Sequence, residues 1–341
     1  MDLHNRISAF AELGNLLPDM ISSSLLEQAF NSNKWFTRSE TFRALNSWSS
    51  LLTIDNLTRW TGSYPIPAFA PIRNILVITA GNIPLVGFHD FLSVLISGHR
   101  FIGKLSSRDE VLLSRLAQEL ISIEPRFAYQ IQLQDLTISP DAVIATGSNN
   151  SARYFLTEYG QLPHIVRKNR SSAAILDGSE TPEDLDLLAA DILEYFGLGC
   201  RSISHIFLPA GYSPDKLAKP LSNFNMPDTC EPYLDNLRYQ RARLNMLNKP
   251  LFDAGNALLV ENKLLHSPIG VVHYSFYHER TVLFDNLKVQ ESEIQCLVGH
   301  KSLNPKLIPF GSAQKPELWD FADDVDTLEF LIHSFPADSI S

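Results

Sequence analysis

Residues 74–105 read NILVITAGNIPLVGFHDFLSVLISGHRFIGKL, and this stretch decides the fold. NILVITA is a short β-branched run, the pattern of a strand covered on both faces. GNIP follows at once, a turn punctuated by Gly and Pro. FHDFLSVLISG is an apolar helical segment that stops at Gly98. RFIGKL is a second short strand. Strand, helix and strand with short connections predict a parallel sheet with crossover helices.

Working outward, the pattern repeats downstream. SSRDEVLLSRLAQELISI (106–123) is an amphipathic helix with Ser106 or Ser107 as its cap. DAVIATG (141–147) is a strand that runs into SNNSARYFLTEYG, a helix. Residues 71–160 therefore form the nucleotide-binding candidate. Upstream, residues 1 to about 60 are helical, with apolar positions spaced by three and four at Ile7, Phe10 and Leu13, then Leu25, Leu26 and Phe30. Thr37 and Glu40 fit a capping box, and Pro65, Pro67 and Pro71 break the pattern. Past His164, RKNRSSAAILDG reads as a basic turn and a strand. TPEDLDLLAADILEYFGLG (181–199) reads as a helix capped by Thr181, with Pro182 at its first position, that ends at Gly197 and Gly199. HIFLP, VVHYSFY and EIQCLVG are strands. In the tail, PELWDFADDVDT is expected to be a helix and LEFLI an edge strand. The α/β fold so predicted has N-terminal helices and a dinucleotide-binding domain over 1–165, a smaller α/β catalytic domain over 166–315, and a C-terminal return segment over 316–341.

At roughly 150 residues per domain, 341 residues suggest two domains. Hydrophobic residues make up 45% and charged residues 19%, which supports a large core and excludes a disordered chain. A formal charge of −10 argues against a nucleic-acid partner, because such binding rests on a basic surface. Cys200, Cys230 and Cys296 form no CxxC pair and no zinc spacing. No metal and no disulfide scaffold are expected, and reduced thiols fit a cytoplasmic protein. The start, MDLHNRISAFAELGNLLPDM, lacks the apolar run of a signal peptide. The longest apolar stretches fall far short of the ~20 residues of a membrane span.

Five places carry residues suited to chemistry. Cys200 lies in YFGLGCRS, with Gly197 and Gly199 before it and Arg201 after it; a cationic neighbour favours the nucleophilic thiolate, and a buried core cysteine is the other reading. Asn82 follows a strand in a tight turn, where its amide suits an oxyanion, though an ordinary Asn turn has the same look. Lys104 closes a strand, where a side chain meets a ligand at a crevice or simply stays solvated. Gly147 and Ser148 follow a strand and open a helix, a place that suits a pyrophosphate, although no GxGxxG is present. His164 suits a general base or a structural role, one of ten histidines.

The order of these motifs resembles the aldehyde dehydrogenase superfamily. More closely, it resembles the acyl-CoA reductase family that includes the fatty-acid reductase of bacterial bioluminescence. The segments that carry the resemblance are ITAGNIPLVGFHDFL, FIGKLSSRDEVLL, DAVIATGSNNSARYF, PHIVRKNRSSAAIL, YFGLGCRSISHIFLP and IPFGSAQKPELWDFADDVDTLEFL, spread over residues 35–332. The resemblance implies that Cys200 takes an acyl group from a long-chain acyl-CoA, and that Asn82 with the Cys200 N–H holds the oxyanion. It places Lys104 near the adenosine ribose, and Thr79, Ala80, Gly81, Gly147 and Ser148 along the dinucleotide path. His164 falls roughly where luminescence reductases carry a histidine proposed as a base, and Glu291 or Glu293 where a ribose carboxylate belongs.

Two departures sharpen the expectation. Hydrolytic members carry Glu-Leu-Gly-Gly where this chain reads Arg167, Lys168, Asn169 and Arg170, so water attack on the acyl-enzyme should be slow. NAD-specific members carry a Glu where this chain has Ser107 followed by Arg108, which tolerates a 2′-phosphate and points to NADPH rather than NADH. An acyl-transferring or acyl-activating partner protein and a homo-oligomer complete the expectations. Two rivals stay open: a non-redox cysteine acyltransferase or thioesterase using Cys200 and His164, and a catalytically silent scaffold.

Overall fold

The β-branched run becomes β1 (Asn74–Ile78), the middle strand of a five-stranded sheet in a computed structural model that describes residues 1–67, 71–134, 137–226 and 228–335, apart from the side chain of Asn149. The chain divides into two compact units, Met1–Lys168 with Glu317–Ser341, and Asn169–Pro316.

In unit 1 the helices α1 (Leu3–Leu16), α2 (Ser23–Ser32), α3 (Arg38–Leu51) and α4 (Ile54–Thr61) precede the sheet. The sheet then alternates with helices: β1, α5 (Phe88–Ser97), β2 (Arg100–Lys104), α6 (Glu110–Ile123), β3 (Ile131–Leu133), β4 (Ala142–Thr146), α7 (Asn149–Tyr159) and β5 (His164–Arg167). The strand order is β3-β2-β1-β4-β5, and every pairing is parallel. Alternate residues of β1 serve two cores. Ile75 and Val77 join the large cluster with Phe10, Phe91 and Trp60, while Leu76 and Ile78 join Val143, Ala145 and Phe155. Two covered faces explain why β1 lacks alternating polar residues.

The end of the chain returns to unit 1 as α12 (Thr327–His333), with Leu328 and Leu331 in the large cluster. LEFLI is thus helical, not an edge strand. Asp326 caps it by accepting from Glu329 N, and its buried leucines stand three apart, a helical period. PELWDFADDVDT forms turns instead of a helix, with Asp323 left-handed at φ 60°. His89 Nε2 and His99 Nε2 donate to the carbonyls of Leu318 and Leu331 at 2.9 and 3.0 Å. Residues 336–341 of the expected return segment lie outside the described residues.

Unit 2 holds β6 (Ser171–Ile175), α8 (Pro182–Leu193), β7 (Ile203–Pro209), α9 (Ala218–Asn223), α10 (Glu231–Met246), β8 (Phe252–Asp253), β9 (Leu258–Glu261), β10 (Val271–Tyr277), α11 (Arg280–Val289) and β11 (Ile294–Val298). Its six-stranded sheet runs β11-β6-β7-β10-β9-β8, parallel except for β8 against β9. Thr181 and Asp184 close a capping box on α8 behind Pro182. The helix stops at Leu193, short of the expected Gly199. Tyr195 (φ 52°), Phe196 (φ 55°) and Gly197 (φ 72°) then turn with the opposite hand. Among the described residues, no helix is long and apolar enough to cross a membrane.

Candidate active site

Parallel strands put all their C-terminal ends on one edge. In unit 1, β1 has β2 on one side and β4 on the other, so the chain reverses its winding at β1, where open α/β sheets bind ligands. Thr79, Ala80, Gly81 and Asn82 leave β1 at this edge. Lys104 and Ser107 leave β2 there, and Gly147 and Ser148 leave β4. The loops after β1 and β2 are tied together: Thr79 N donates to Lys104 O at 3.1 Å, and Ser106 N donates to Thr79 Oγ1 at 3.1 Å. Asn33 Nδ2 donates to Gly81 O at 3.2 Å. A Cβ on Gly81 would lie 2.5 Å from Ser106 Oγ and 3.0 Å from Arg108 Cβ, so only glycine lets the two loops approach this closely.

Asp109 holds the far side of the Asn82 loop. The expected cap of α6 was Ser106 or Ser107, but the helix begins at Glu110 behind Asp109. The Asp109 carboxyl makes no cap bond; it accepts the N–H groups of Leu85 and Val86. Burial pushes its pKa well above the ordinary carboxylate range, against the opposing effect of those two donors. Its Oδ1 is buried with no hydrogen-bond partner. Leu85 is left-handed at φ 60°, a conformation that costs roughly 1–2 kcal/mol in a residue with a Cβ. The Asp109 contact spans that strained residue.

Ser148 caps α7, accepting from Ser151 N at 3.2 Å. The helix start thus carries a short hydroxyl side chain beside backbone N–H groups, with the dipole's positive end facing outward. Lys104 and Arg108 are exposed on the same edge. His164 does not join them. It begins β5, at the opposite edge of the sheet from Gly147, and its Nδ1 pairs with Leu162 O at 2.8 Å. Parallel pairing thus sends the start of β5, with the candidate base His164, away from the end of β4. Arg167 is buried. It pairs with Asp90 at 2.6 Å and donates to Thr327 Oγ1 at 2.8 Å.

In unit 2, Cys200 is exposed, whereas Cys230 and Cys296 are buried. It sits within a turn closed by Ser202 N donating to Gly199 O at 3.0 Å, just before β7. Three successive residues of this turn are anchored. Ser172 Oγ donates to the Cys200 carbonyl at 2.9 Å, Arg201 Nε donates to Ala313 O at 2.5 Å, and Gln314 Nε2 donates to Ser202 Oγ at 2.9 Å. Asp191 of α8 supports segment 311–314, accepting from Gly311 N at 2.7 Å and Ala313 N at 2.9 Å. Burial raises the Asp191 pKa to about 6, against the lowering effect of those donors. Glu291 and Glu293 are exposed in a turn before β11, at the edge where β6 and β7 also begin.

Asp177, Glu180 and His300 bring ligand atoms within 4.8 Å of one another. Their oxygens serve the local turn: Glu180 accepts from Asp177 N and Gly178 N, and His300 Nε2 faces Asp184 at 3.2 Å. Sequence reading missed Asp109, Ser172, Asp191 and Gln314. Each acts on a backbone or side chain far along the chain, and no local motif marks such a contact. An acid directly before a helix start was the one available signal, and it favours capping.

A family model described as acyl-CoA reductase (LuxC) matches residues 63–223. A search of curated proteins finds no match. Among solved structures, aldehyde dehydrogenase 21 from Physcomitrella patens, in complex with the reaction product succinate, aligns with TM-score 0.70 at 10% identity, covering 98% of this chain and 84% of its own. An NAD-dependent benzaldehyde dehydrogenase from Corynebacterium glutamicum aligns at 0.61 and 12% identity, covering 82% and 73%. A mutant indole-3-acetaldehyde dehydrogenase from P. syringae, in complex with NAD+ and IAA, aligns at 0.62 and 12%, covering 84% and 69%. The fold is that of the aldehyde dehydrogenases. With the family match, it supports an oxidoreductase acting on acyl-CoA or aldehyde.

Proposed function

We propose that the protein, which matches the acyl-CoA reductase (LuxC) family model over residues 63–223, reduces a long-chain fatty acyl-CoA to the aldehyde through an acyl group carried on Cys200. The observation that carries this reading is the contrast among the cysteines. Cys200 alone is exposed, on a turn anchored at three successive residues, while Cys230 and Cys296 are buried.

The edge of unit 1 fits a nicotinamide dinucleotide. Gly81 brings the loops after β1 and β2 into close contact, Ser148 opens α7, and Lys104 and Arg108 supply exposed positive charge. Thr79, Ala80, Gly81, Gly147 and Ser148 would line its path, with Lys104 at the adenosine ribose. Ser107 and Arg108 would accept the 2′-phosphate of NADPH, where a carboxylate would repel it. When bound, this cofactor supplies the hydride.

The chain's own residues do the rest. The Cys200 sulfur attacks the thioester carbonyl, forming a new C–S bond as the C–S bond to CoA breaks and CoA leaves as its thiolate. The Cys200 N–H would donate to the oxygen that becomes negative at each tetrahedral stage, a role that a side-chain amide such as that of Asn82 also suits. After reduction of the acyl carbonyl, the C–S bond of the thiohemiacetal breaks, releasing aldehyde and the free thiol. Arg167 occupies the place of the water-activating carboxylate and is committed to Asp90 and Thr327, which favours reduction over hydrolysis. A partner that supplies or activates the acyl group and a homo-oligomer belong to the same proposal.

NADPH oxidation with acyl-CoAs of graded length tests the reading. Wild type is expected to turn over, and Cys200→Ala to lose activity to background. Full activity in Cys200→Ala refutes the mechanism.

A further inference from the structure

The inner anchor of the Cys200 turn is a single hydroxyl. Ser172, the second residue of β6, is fully buried. Its Oγ donates to the Cys200 carbonyl at 2.9 Å and accepts from Cys296 N at 3.1 Å, with Cys296 Sγ also 3.1 Å away. A serine hydroxyl has one proton and two acceptor positions. The proton goes to the Cys200 carbonyl, and the Cys296 N–H and S–H fill the acceptor positions.

The sheet is irregular at this point on both sides of β6. The β6–β7 register shifts between Ser172 and Ala173, and the β11–β6 register shifts between Ile294 and Leu297. Such interruptions re-aim the chain. Here the interruption lets a side chain, not the ladder, take the Cys296 N–H, and the same side chain reaches the Cys200 turn.

We propose that Ser172 is a positioning residue that fixes the peptide plane after Cys200 and so the direction in which the sulfur is presented. It acts through the Cys200 backbone and does not touch substrate. The inference deepens the reading of Cys200 as nucleophile and rests on it. Without the hydroxyl, the Cys200 carbonyl is released to swing toward its own thiolate, which that partial negative charge disfavours.

Ser172→Ala and Ser172→Thr in the full chain test this by peptide mass spectrometry after iodoacetamide labelling, with Cys230 and Cys296 as internal monitors. Ser172→Ala is expected to slow Cys200 alkylation by about fivefold to tenfold, the scale of one hydrogen bond. Cys230 and Cys296 should stay protected, and Ser172→Thr should recover most of the rate. In acyl-CoA reduction, kcat should fall by a similar factor with KM for NADPH unchanged. Unchanged Cys200 alkylation in Ser172→Ala overturns the proposal, as does slowing matched by equal labelling gains at Cys230, since that reports general loosening. If wild type forms no acyl adduct, the reductase reading fails, and the alkylation comparison still decides the role of Ser172.

Discussion

The loop after β1 and the turn before β7 each lean on a buried carboxyl that accepts two backbone N–H groups. Asp109 holds Leu85 and Val86 in unit 1, and Asp191 holds Gly311 and Ala313 in unit 2. The rest of each mounting differs. The Asn82 loop is held by volume: Cβ atoms on Gly81 or Gly87 would fall 2.5 Å from Ser106 Oγ or Thr79 Cγ2. The Cys200 turn is held by polar contacts at residues 200, 201 and 202, behind a left-handed bend at Tyr195–Phe196. On the proposed reading, the part that would cradle a cofactor is shaped by what cannot fit, and the part that would present one reactive atom is shaped by directional bonds. Unit 1 should therefore be sensitive to added carbon, and unit 2 to proton concentration and polarity.

The largest effect expected is the pH response of unit 2. Asp191 keeps its proton up to about pH 6 in the folded chain and only to the ordinary carboxylate range when unfolded. The folded state thus binds more protons between those values. The stability from this group is fully present below the unfolded pKa and is lost as pH rises through about 6, by on the order of 3 kcal/mol. The stability of wild type relative to Asp191→Asn should therefore fall between about pH 4 and about pH 7 in denaturant titrations. A constant difference would break the comparison.

Volume comes next. Gly81→Ala should destabilise by about 1–3 kcal/mol through overpacking and weaken NADPH binding in a fluorescence titration. Wild-type stability and affinity would show that close approach does not hold the loop. A smaller effect is expected at the outer rim. Ser107→Glu should shift the ratio of specificity constants from NADPH toward NADH by a few-fold to about tenfold, the range of exposed to hydrogen-bonded charge; an unchanged ratio counts against the 2′-phosphate argument. Smallest of all is Asp109→Asn. Burial already favours the neutral carboxyl, and an amide oxygen still accepts the two N–H groups, so stability should stay within about 0.5 kcal/mol of wild type. A loss as large as that of Asp109→Ala would mean that the charge matters.

Much of unit 1's sheet was legible because NILVI, RFIGK and AVIAT are short apolar runs set between helical periods, a pattern that allows few foldings. Helix ends were less legible. The bend at Tyr195 and Phe196 defeats propensity, since neither residue favours positive φ and only Gly197 signalled it. The start of α6 was misread because Asp109 spends its carboxyl on Leu85 and Val86 and not on its own helix. LEFLI was misread because its leucine spacing of three was outweighed by its β-branched, aromatic composition. At the candidate site, the positions of Asn82, Lys104, Gly147 and Ser148 at or just past strand ends were readable from their motifs. The position of His164 at the start of β5 was not readable, because sequence order does not tell which end of a parallel strand carries a given residue. Ser172 and Asp191 were invisible, since each bonds a backbone more than twenty-five residues away.

The central claim rests on acyl transfer to one sulfur, and intact-protein mass spectrometry tests it most directly. With acyl-CoA alone, wild type should gain the mass of one acyl group, mapped to Cys200. Adding NADPH should remove that mass and yield free aldehyde. An adduct on Cys230 or Cys296, or none on any cysteine, would contradict the account.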